Sequence, residues 1–235
     1  MTDLYYKAGK DPGKNTTLSA LMGEDSVFYC IIDENLALVE SNHLKVDVFY
    51  ERFIDEYSPH KLKCCNLTNK FIISNNTAHI QGNDFQVFVD KFTDQPVYCK
   101  HVGALQLPAK TIHLSTALDH HYYLVSKKVC HVHFDFKRIH IYYKAEGQFQ
   151  FYNNYEVETA EDVLYFVELI HNVVINNGMQ RLPLEVSGLI EKESGIMDLL
   201  AKYYPEINFV SIGENVEGKA LSHIYFGHYL NLACV

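Results

Sequence analysis

The sharpest chemical pattern in the chain is an alternation of histidine and carboxylate along one predicted strand. His131, His133 and Asp135 stand at every second position, so their side chains share one face of an extended strand. His140, on the next predicted strand, could join them. Imidazole and carboxylate suit zinc or a redox metal, which makes these residues a candidate metal site. The sequence leaves one alternative open, in which they are hydrogen-bonded histidines inside a covered sheet.

A second possible chemistry is a nuclease in which carboxylates hold two Mg²⁺ ions. Asp135 could supply the carboxylate of the first strand, and Glu161 and Asp162 could supply others from the start of a helix. Acidic residues also favour helix N-termini for the dipole alone. The 29 acidic and 20 basic residues give a net charge of −9, which disfavours binding to the phosphate backbone of a nucleic acid. We therefore expect no nucleic-acid partner and keep a metal-dependent, ribonuclease-H-like nuclease as the third hypothesis.

Serine or cysteine hydrolysis has less support. The sequence has no Gly-x-Ser-x-Gly elbow, and the adjacent Cys64 and Cys65 have no evident histidine partner. The six cysteines lack Cys-x-x-Cys spacing, and several lie in apolar runs, which predicts buried free thiols. No catalytic residue is therefore predicted.

Length and composition predict a folded protein. A chain of 235 residues with 48% hydrophobic content can bury one large core or two smaller ones. It has no apolar run of about 18 residues to span a bilayer, and its N-terminal segment lacks the apolar core of a signal peptide. We expect a cytoplasmic protein without membrane insertion.

Hydrophobic periodicity predicts an ordered series of elements in the first half of the chain. These are strands at 16–23, 26–33 and 36–41, a helix capped by Asp47 and ended by Ser58-Pro59, a strand at 70–74, a helix from Asn83 with Phe85, Phe88, Val89 and Phe92 on one side, and a strand at 96–102. A connecting helix capped by Ser115 follows.

The same order begins again at Val129. Strands are predicted at 129–136, 138–145 and 148–157, then a helix capped by Thr159 with Asp162 in a box-like start, a strand at 184–190, a helix at 194–204 and a strand at 207–212. The tail from 219 to 235 is ambiguous between helix and strand.

This repeat predicts an α/β fold of two tandem ribonuclease-H-like subdomains. Each has the order β-β-β-α-β-α-β and a mixed five-stranded sheet. Residues 15–126 would form the first subdomain with its connecting helix, and residues 127–235 the second. Two such subdomains make up the actin-like ATPase superfold.

Three stretches also carry a family resemblance: FYNNYEVETAEDVLYFV at 151–167, TIHLSTALDHHYYL at 111–124, and the ending YFGHYLNLACV. In them the chain resembles an uncharacterised bacterial domain-of-unknown-function family whose members look like actin-like ATPases. The resemblance covers most of the chain and is strongest in the second half. More distantly, it extends to the actin-like platform proteins of type IV pilus assembly and type II secretion. It implies a fold and brings no established activity.

The resemblance implies where a nucleotide would bind. Actin-like ATPases hold phosphates and hydrated Mg²⁺ with an Asp-x-Gly hairpin turn in each half. Aligned with that pattern, Leu21-Met22-Gly23 keeps the glycine without the carboxylate, and Asp135-Phe136-Lys137 keeps the carboxylate without the glycine. The glycine pair beside the adenosine is represented by Val186-Ser187-Gly188-Leu189, with one glycine.

These partly eroded elements predict a degenerate, non-catalytic protein that serves as an interaction or nucleotide-sensing module for an unknown protein partner. ATP and Mg²⁺ are not predicted as cofactors. The alternative is a nucleotide-binding protein with weak Mg-dependent ATPase activity, in which Gly23, Asp135 and Gly188 would line the site; otherwise Gly23 and Gly188 are ordinary turn and packing glycines.

Adjacent tyrosines are the candidate partner surface. The pairs 122–123, 142–143 and 203–204 alternate across a strand or a helix flank, so one member of each pair could reach the surface and meet a partner.

Overall fold

The computed structural model describes residues 6–7, 15–52, 60–67, 70–72, 85–89, 96–100, 111–125, 127–172, 181–210 and 223–233. The chain divides into two compact units: unit 1 is Met1–Ala117, Glu214–Lys219 and Gly227–Val235, and unit 2 is Leu118–Gly213 and Ala220–Phe226. This division of contacts does not test which segments fold alone, so the boundaries 15–126 and 127–235 stay predictions.

The first half of the chain forms nine strands and two helices within the described ranges. In order they are β1 (Tyr6–Lys7), β2 (Thr17–Met22), β3 (Ser26–Ile32), β4 (Leu38–Lys45), α1 (Val46–Arg52), β5 (Lys61–Asn66), β6 (Lys70–Ile72), β7 (Phe85–Val89), β8 (Pro96–Lys100), β9 (Thr111–His113) and α2 (Leu114–His121).

A six-stranded sheet of order β1-β4-β3-β2-β5-β9 is the frame of unit 1. β1 to β4 pair antiparallel, and β5 and β9 join in parallel. Apolar runs bury β2 and β3 almost throughout. Phe49 and Tyr50 of α1 pack on the sheet against a core that includes Leu18, Ala20 and Tyr29.

The predicted helix from Asn83 is wrong. Its central residues form β7, which belongs to a three-stranded antiparallel sheet of order β6-β8-β7, while Asn83 and Phe92 lie outside the described residues. The sequence Phe-Gln-Val-Phe-Val is aromatic and β-branched, so strand propensity outweighs a helical spacing of four positions. No helix is described between β5 and β9, where the predicted order has its second helix.

The strands predicted at 70–74 and 96–102 therefore belong to this small sheet. The parallel strands of the main sheet are β5 and β9 instead, and neither was predicted. The predicted helix end at Ser58-Pro59 lies outside the described residues.

The second half of the chain follows the predicted order. Its elements are β10 (Val129–Phe134), β11 (Arg138–Ala145), β12 (Gln148–Glu156), α3 (Ala160–Ile170), β13 (Leu184–Gly188), α4 (Gly195–Ala201), β14 (Ile207–Phe209) and α5 (Phe226–Ala233). The five-stranded sheet of unit 2 has the order β12-β11-β10-β13-β14. β13 and β14 are parallel to β10, and the other pairs are antiparallel.

The predicted start of α3 is confirmed. Thr159 is the N-cap, and its hydroxyl accepts from the Asp162 amide at 3.1 Å while the Asp162 carboxylate accepts from the Thr159 amide at 2.9 Å. This capping box satisfies backbone donors that the first turn would leave unpaired. Val163 and Val167 then face the core of unit 2, together with Leu200 of α4.

Helix α2 begins differently from the prediction. Ser115 lies inside the helix, and its amide donates to the Nδ1 of His113 at 3.1 Å. His113 therefore occupies the capping position. An imidazole nitrogen can accept this bond as a hydroxyl or carboxylate would.

The two units repeat each other in their backbone contacts. Three backbone hydrogen bonds of unit 1 each have a counterpart in unit 2. The bond from Gly23 N to Ser26 O matches that from Asp135 N to Arg138 O. The bonds from Leu67 N to Met22 O and from Val46 N to Asp25 O match those from Leu189 N to Phe134 O and from Val157 N to Lys137 O. The third strand also carries the same irregularity, because the register shifts after the pair Ile31–Glu40 in unit 1 and after the pair Tyr143–Phe151 in unit 2. The predicted duplication thus extends to a shared β-bulge.

Within the described ranges, no helix is long and apolar enough to cross a membrane.

Candidate functional site

The structure shifts the expected alignment of the first phosphate turn by two residues. Met22 is the last residue of β2, and Gly23 opens the turn with its amide bonded to Ser26. Asp135 opens the second turn in the same way. Gly23 therefore stands where the second turn has its carboxylate, and Asp25 stands where the pattern requires glycine.

The second turn keeps its carboxylate but uses it internally. Asp135 is half-buried, and burial raises its pKa to about 6, against the opposing effects of a bond from the Phe136 amide and the nearby charge of Arg138. Phe136 and Lys137 fill the next two turn positions and are both exposed. Lys137 stands where the pattern has glycine, the residue that lets a phosphate approach the main chain closely.

Gly188 is required by packing. Its φ is +89°, and a Cβ at this position would lie 2.0 Å from the carbonyl oxygen of Phe134. Its amide donates to the His223 carbonyl and the Leu189 amide donates to the Phe134 carbonyl, both at 2.8 Å. These contacts within unit 2 account for the glycine without a nucleotide, as the packing alternative proposed.

The predicted metal residues lie on one face of the unit 2 sheet. His131 and His133 are buried, and His133 is the cross-strand partner of His140, with ring centroids 6.0 Å apart. The opposite face is the apolar core, to which Val132 and Ile141 belong. The side-chain alternation predicted for these strands is therefore present.

A chain of hydrogen bonds connects the first two histidines. Tyr122 Oη is hydrogen-bonded to His131 Nδ1, His131 Nε2 to Ser187 Oγ, and Ser187 Oγ to His133 Nδ1, each at 2.8 Å. Ser187 bridges the two imidazoles because β13 pairs with β10 in a register that places it beside His133. We call these four residues the imidazole relay.

The relay histidines are neutral near pH 7. Burial lowers the pKa of His131 well below its ordinary value, and the nearby His133 and His121 lower it further. Burial also lowers the pKa of His133 to about 4. A neutral imidazole has one donor and one acceptor, so His131 donates on one side and accepts on the other. The Ser187 hydroxyl has one proton and two acceptor lone pairs, so it either accepts from both histidines or donates to one of them. The interior of the relay can orient protons but carries no charge.

The contacts favour the hydrogen-bonded alternative over a metal. Both ring nitrogens of His131 and one of His133 are in the relay, and a ligating nitrogen cannot also keep such a bond. Over the described ranges, no group of three or more His, Cys, Asp or Glu side chains could hold a metal ion.

A buried ion pair lies beside the relay. Lys144 is 1% exposed, and its ammonium donates to the Tyr122 carbonyl at 2.8 Å and lies 3.8 Å from the Asp119 carboxylate. Tyr142 donates to the same carboxylate oxygen at 2.5 Å. The amine thus satisfies a carbonyl just past the end of α2, where the helix dipole favours a cation.

Unit 1 has a comparable arrangement on its own polar face. Ser19 Oγ accepts from Asn231 Nδ2 at 2.9 Å and is hydrogen-bonded to His228 Nδ1 at 3.1 Å. Lys63, also buried, donates to the Leu232 carbonyl in the last turn of α5 at 2.9 Å. Each unit therefore uses a buried lysine to complete the C-terminal end of a helix.

The remaining sequence candidates have structural roles. Asp162 is held in the cap of α3, and its backbone bonds lower its pKa; Glu161 is exposed. Cys64 and Cys65 are buried free thiols, as are Cys30 and Cys130.

One tyrosine is exposed, as predicted, in two of the three pairs, and its use as a partner surface stays a prediction. Tyr123 is 71% and Tyr203 is 44% exposed, while Tyr122 and Tyr204 are buried. Tyr142 and Tyr143 are both buried. Tyr143 belongs to the apolar core, whereas Tyr142 stacks on Tyr122 and donates to Asp119.

Solved structures give the fold. The chain is similar to a Bacteroides thetaiotaomicron protein with actin-like ATPase fold and unknown function, at 15% identity and a TM-score of 0.63, covering 84% of this chain and 91% of that one. It is also similar to the ethanolamine utilization protein EutJ from Carboxydothermus hydrogenoformans, at 11% identity and a TM-score of 0.51, covering 94% and 90%. The predicted α/β, actin-like ATPase fold is confirmed.

No curated protein sequence matches the chain. A family model described as a protein of unknown function (DUF3822) matches residues 64–207, as the predicted resemblance to a domain of unknown function anticipated. The chain belongs to the DUF3822 family.

Proposed function

We propose that this protein is a non-catalytic member of the actin-like ATPase fold that works as an interaction module. The observation that carries the proposal is the state of the second turn. Its only carboxylate, Asp135, accepts a bond from the Phe136 amide within its own turn, and Lys137 stands where the Asp-x-Gly pattern has glycine. A small residue at that position is what lets a phosphate approach the main chain.

The other two elements support the same conclusion. The first turn opens with Gly23 in the carboxylate position, and the carbonyl of Asp25 accepts from the Val46 amide at 3.1 Å. Gly188 is explained by its contact with Phe134. None of the three elements has a carboxylate at its opening position with a glycine two residues later, the order in which the Asp-x-Gly turn presents carboxylate and main chain to a phosphate and its Mg²⁺.

One observation favours the runner-up, retained nucleotide binding with weak Mg-dependent ATPase activity. Asp135 still occupies the opening position of its turn, and a bound Mg²⁺ would favour its ionised form. In that case Asp135 would be the residue that matters most for affinity.

Calorimetric titration with Mg-ATP separates these two functions. We expect no heat of binding up to nucleotide concentrations on the order of 1 mM. A dissociation constant weaker than this corresponds to a binding free energy of less than about 4 kcal/mol. Dissociation constants in the micromolar range would overturn the proposal. Asp135→Asn should then remove the heat, while Asp198→Asn, which changes an exposed carboxylate on α4, should leave it unchanged.

A further inference from the structure

The bonding partners of the relay histidines share one property. Both ring nitrogens of His131 and the Nδ1 of His133 are bonded to hydroxyl groups, those of Tyr122 and Ser187, each at 2.8 Å. A hydroxyl can either donate or accept, whereas an ammonium only donates and an ionised carboxylate only accepts. The relay can therefore rearrange its protons without breaking any of these three hydrogen bonds.

One added proton fits this arrangement. With the proton on His133, its Nδ1 donates to the Ser187 oxygen, the Ser187 hydroxyl donates to His131 Nε2, and His131 Nδ1 donates to the Tyr122 oxygen. The charge moves to His131 when His133 gives its Nδ1 proton to Ser187 while Ser187 gives its own proton to His131 Nε2. Both states keep all three hydrogen bonds, because Ser187 donates to one imidazole and accepts from the other in each of them.

A second proton does not fit. It would make His131 Nε2 and His133 Nδ1 donors at the same time, so Ser187 would accept from both and its own proton would lose its acceptor in a residue that is 0% exposed. Two positive charges would also lie on either side of one oxygen atom, each ring nitrogen 2.8 Å from it. Like charges this close strongly disfavour each other. The hydrogen bonds of the relay therefore accommodate one added proton and oppose two.

The surroundings of the relay are close to neutral. Among the described residues, three carboxylates lie on the elements packed around it, and each has a cation beside it: Asp119 with Lys144, Glu185 with Lys127, and Asp135 with Arg138. The remaining titratable or aromatic groups that face it are His121 of α2, His140 and Tyr142 of β11, and Phe226 of α5. The charge of an added proton must therefore be spread within the relay itself.

Solvent contact remains only at the ends of the relay. Tyr122 and His133 are 5% and 2% exposed, whereas His131 and Ser187 are 0% exposed. Burial raises the pKa of the Tyr122 hydroxyl, so the phenol keeps its proton, and His133 is the end whose imidazole can take one up. A proton accepted there can pass inward to His131 across Ser187.

We propose that the imidazole relay is a single proton-binding site, in which His131 and His133 share one proton through Ser187 and oppose the binding of a second. Uptake is expected on the acid side of the ordinary histidine range, because burial lowers the pKa of both histidines. This inference does not depend on the proposed interaction role, since neither a nucleotide nor a partner takes part in it.

Nuclear magnetic resonance of the full chain, labelled with nitrogen-15 at histidine, tests the sharing. The ring nitrogen shifts of a neutral imidazole differ from those of a protonated one. Signals assigned with His131→Gln and His133→Gln are followed from about pH 7.5 to about pH 4, while circular dichroism shows whether the chain is folded. We expect both rings to change with one common midpoint and with fractional changes that together amount to one proton. A second proton should bind at least about tenfold more weakly than the first.

Two serine variants separate the bridge from a general effect. Ser187→Ala removes the shared hydroxyl, so protonation should be confined to one ring while the other keeps its neutral shifts. Ser194→Ala, at the N-cap of α4, makes the same change away from the relay and should leave the common midpoint in place.

The proposal would be overturned by different midpoints for the two rings in the wild type, or by two protons of nearly equal affinity in the folded chain. It would also fail if neither ring were protonated before the chain unfolds, or if Ser187→Ala left the common midpoint and both partial changes intact. If Ser187→Ala does not fold, the wild-type midpoints and fractional changes alone decide.

Discussion

Replacing Lys144 by methionine should destabilise the protein by about 3–5 kcal/mol, the usual cost of breaking a buried pair from one side. Methionine keeps most of the side-chain volume and removes the charge. The change leaves the Asp119 carboxylate without the ammonium 3.8 Å away and leaves the Tyr122 carbonyl without its donor. Urea unfolding followed by circular dichroism at pH 7 measures the loss.

A double-variant cycle shows whether charge is the cause. Asp119→Asn keeps an oxygen for Tyr142 to donate to but removes the carboxylate, so it should also be costly because the Lys144 cation is then uncompensated. Together with Lys144→Met it should cost about 2 kcal/mol less than the sum of the two single changes.

The matched control is Lys127→Met. Lys127 is 73% exposed and lies 3.9 Å from Glu185, so its loss should cost less than about 1 kcal/mol. The reasoning would be refuted if Lys144→Met cost no more than this control, or if the effects of Lys144→Met and Asp119→Asn simply added.

Two further predictions concern unit 2. The relay histidines have pKa values in the folded protein below their ordinary value of 6.5, so the unfolded chain takes up protons first as the pH falls. The free energy of unfolding should therefore be greatest above about pH 6.5 and should decrease towards pH 4. The decrease should be at most about 1.4 kcal/mol per pH unit for each histidine. Thermal unfolding from pH 7.5 to 4.5 measures this fall, which His133→Gln should lessen. Gly188→Ala should cost several times the roughly 1–2 kcal/mol of Gly147→Ala, because both have positive φ but a Cβ meets Phe134 only at Gly188; equal unfolding midpoints would contradict the packing role.

Local signals were enough to predict unit 2. The cap of α3 depends on Thr159 and Asp162, three residues apart, and the strands β10 to β12 have a continuous apolar or alternating pattern. Short-range sequence patterns are enough to predict the order of these elements and the capping box. Strand alternation predicts the face that His131 and His133 share. The fold class came from the repetition of that order.

The strands of unit 1 are harder to predict from the sequence because tertiary contacts override the local hydrophobic pattern. β5 has two lysines, Lys61 and Lys63, among few strand-forming residues, so its sequence does not indicate a buried strand. Lys63 is buried because its amine reaches the carbonyl of Leu232, 169 residues further along the chain. The relay was missed for the same kind of reason. Ser187 joins His131 and His133 only through the parallel register of β13 on β10, which no spacing in the sequence reveals.

The comparison of the two units separates what the fold needs from what a nucleotide would need. The shared features are backbone ones: the turn bonds opened by Gly23 and Asp135 and a bulge in the third strand. The turn bonds pair backbone groups that the fold would otherwise leave unsatisfied, and the bulge bends the third strand. The differing features are side chains at the turns, where a phosphate and its metal would be bound. Gly188 belongs to the first group, since Phe134 leaves no room for a Cβ. The presence of Gly188 is therefore no sign of a retained nucleotide site, whereas the loss of the Asp-x-Gly pattern at the turns supports the proposed role as an interaction module.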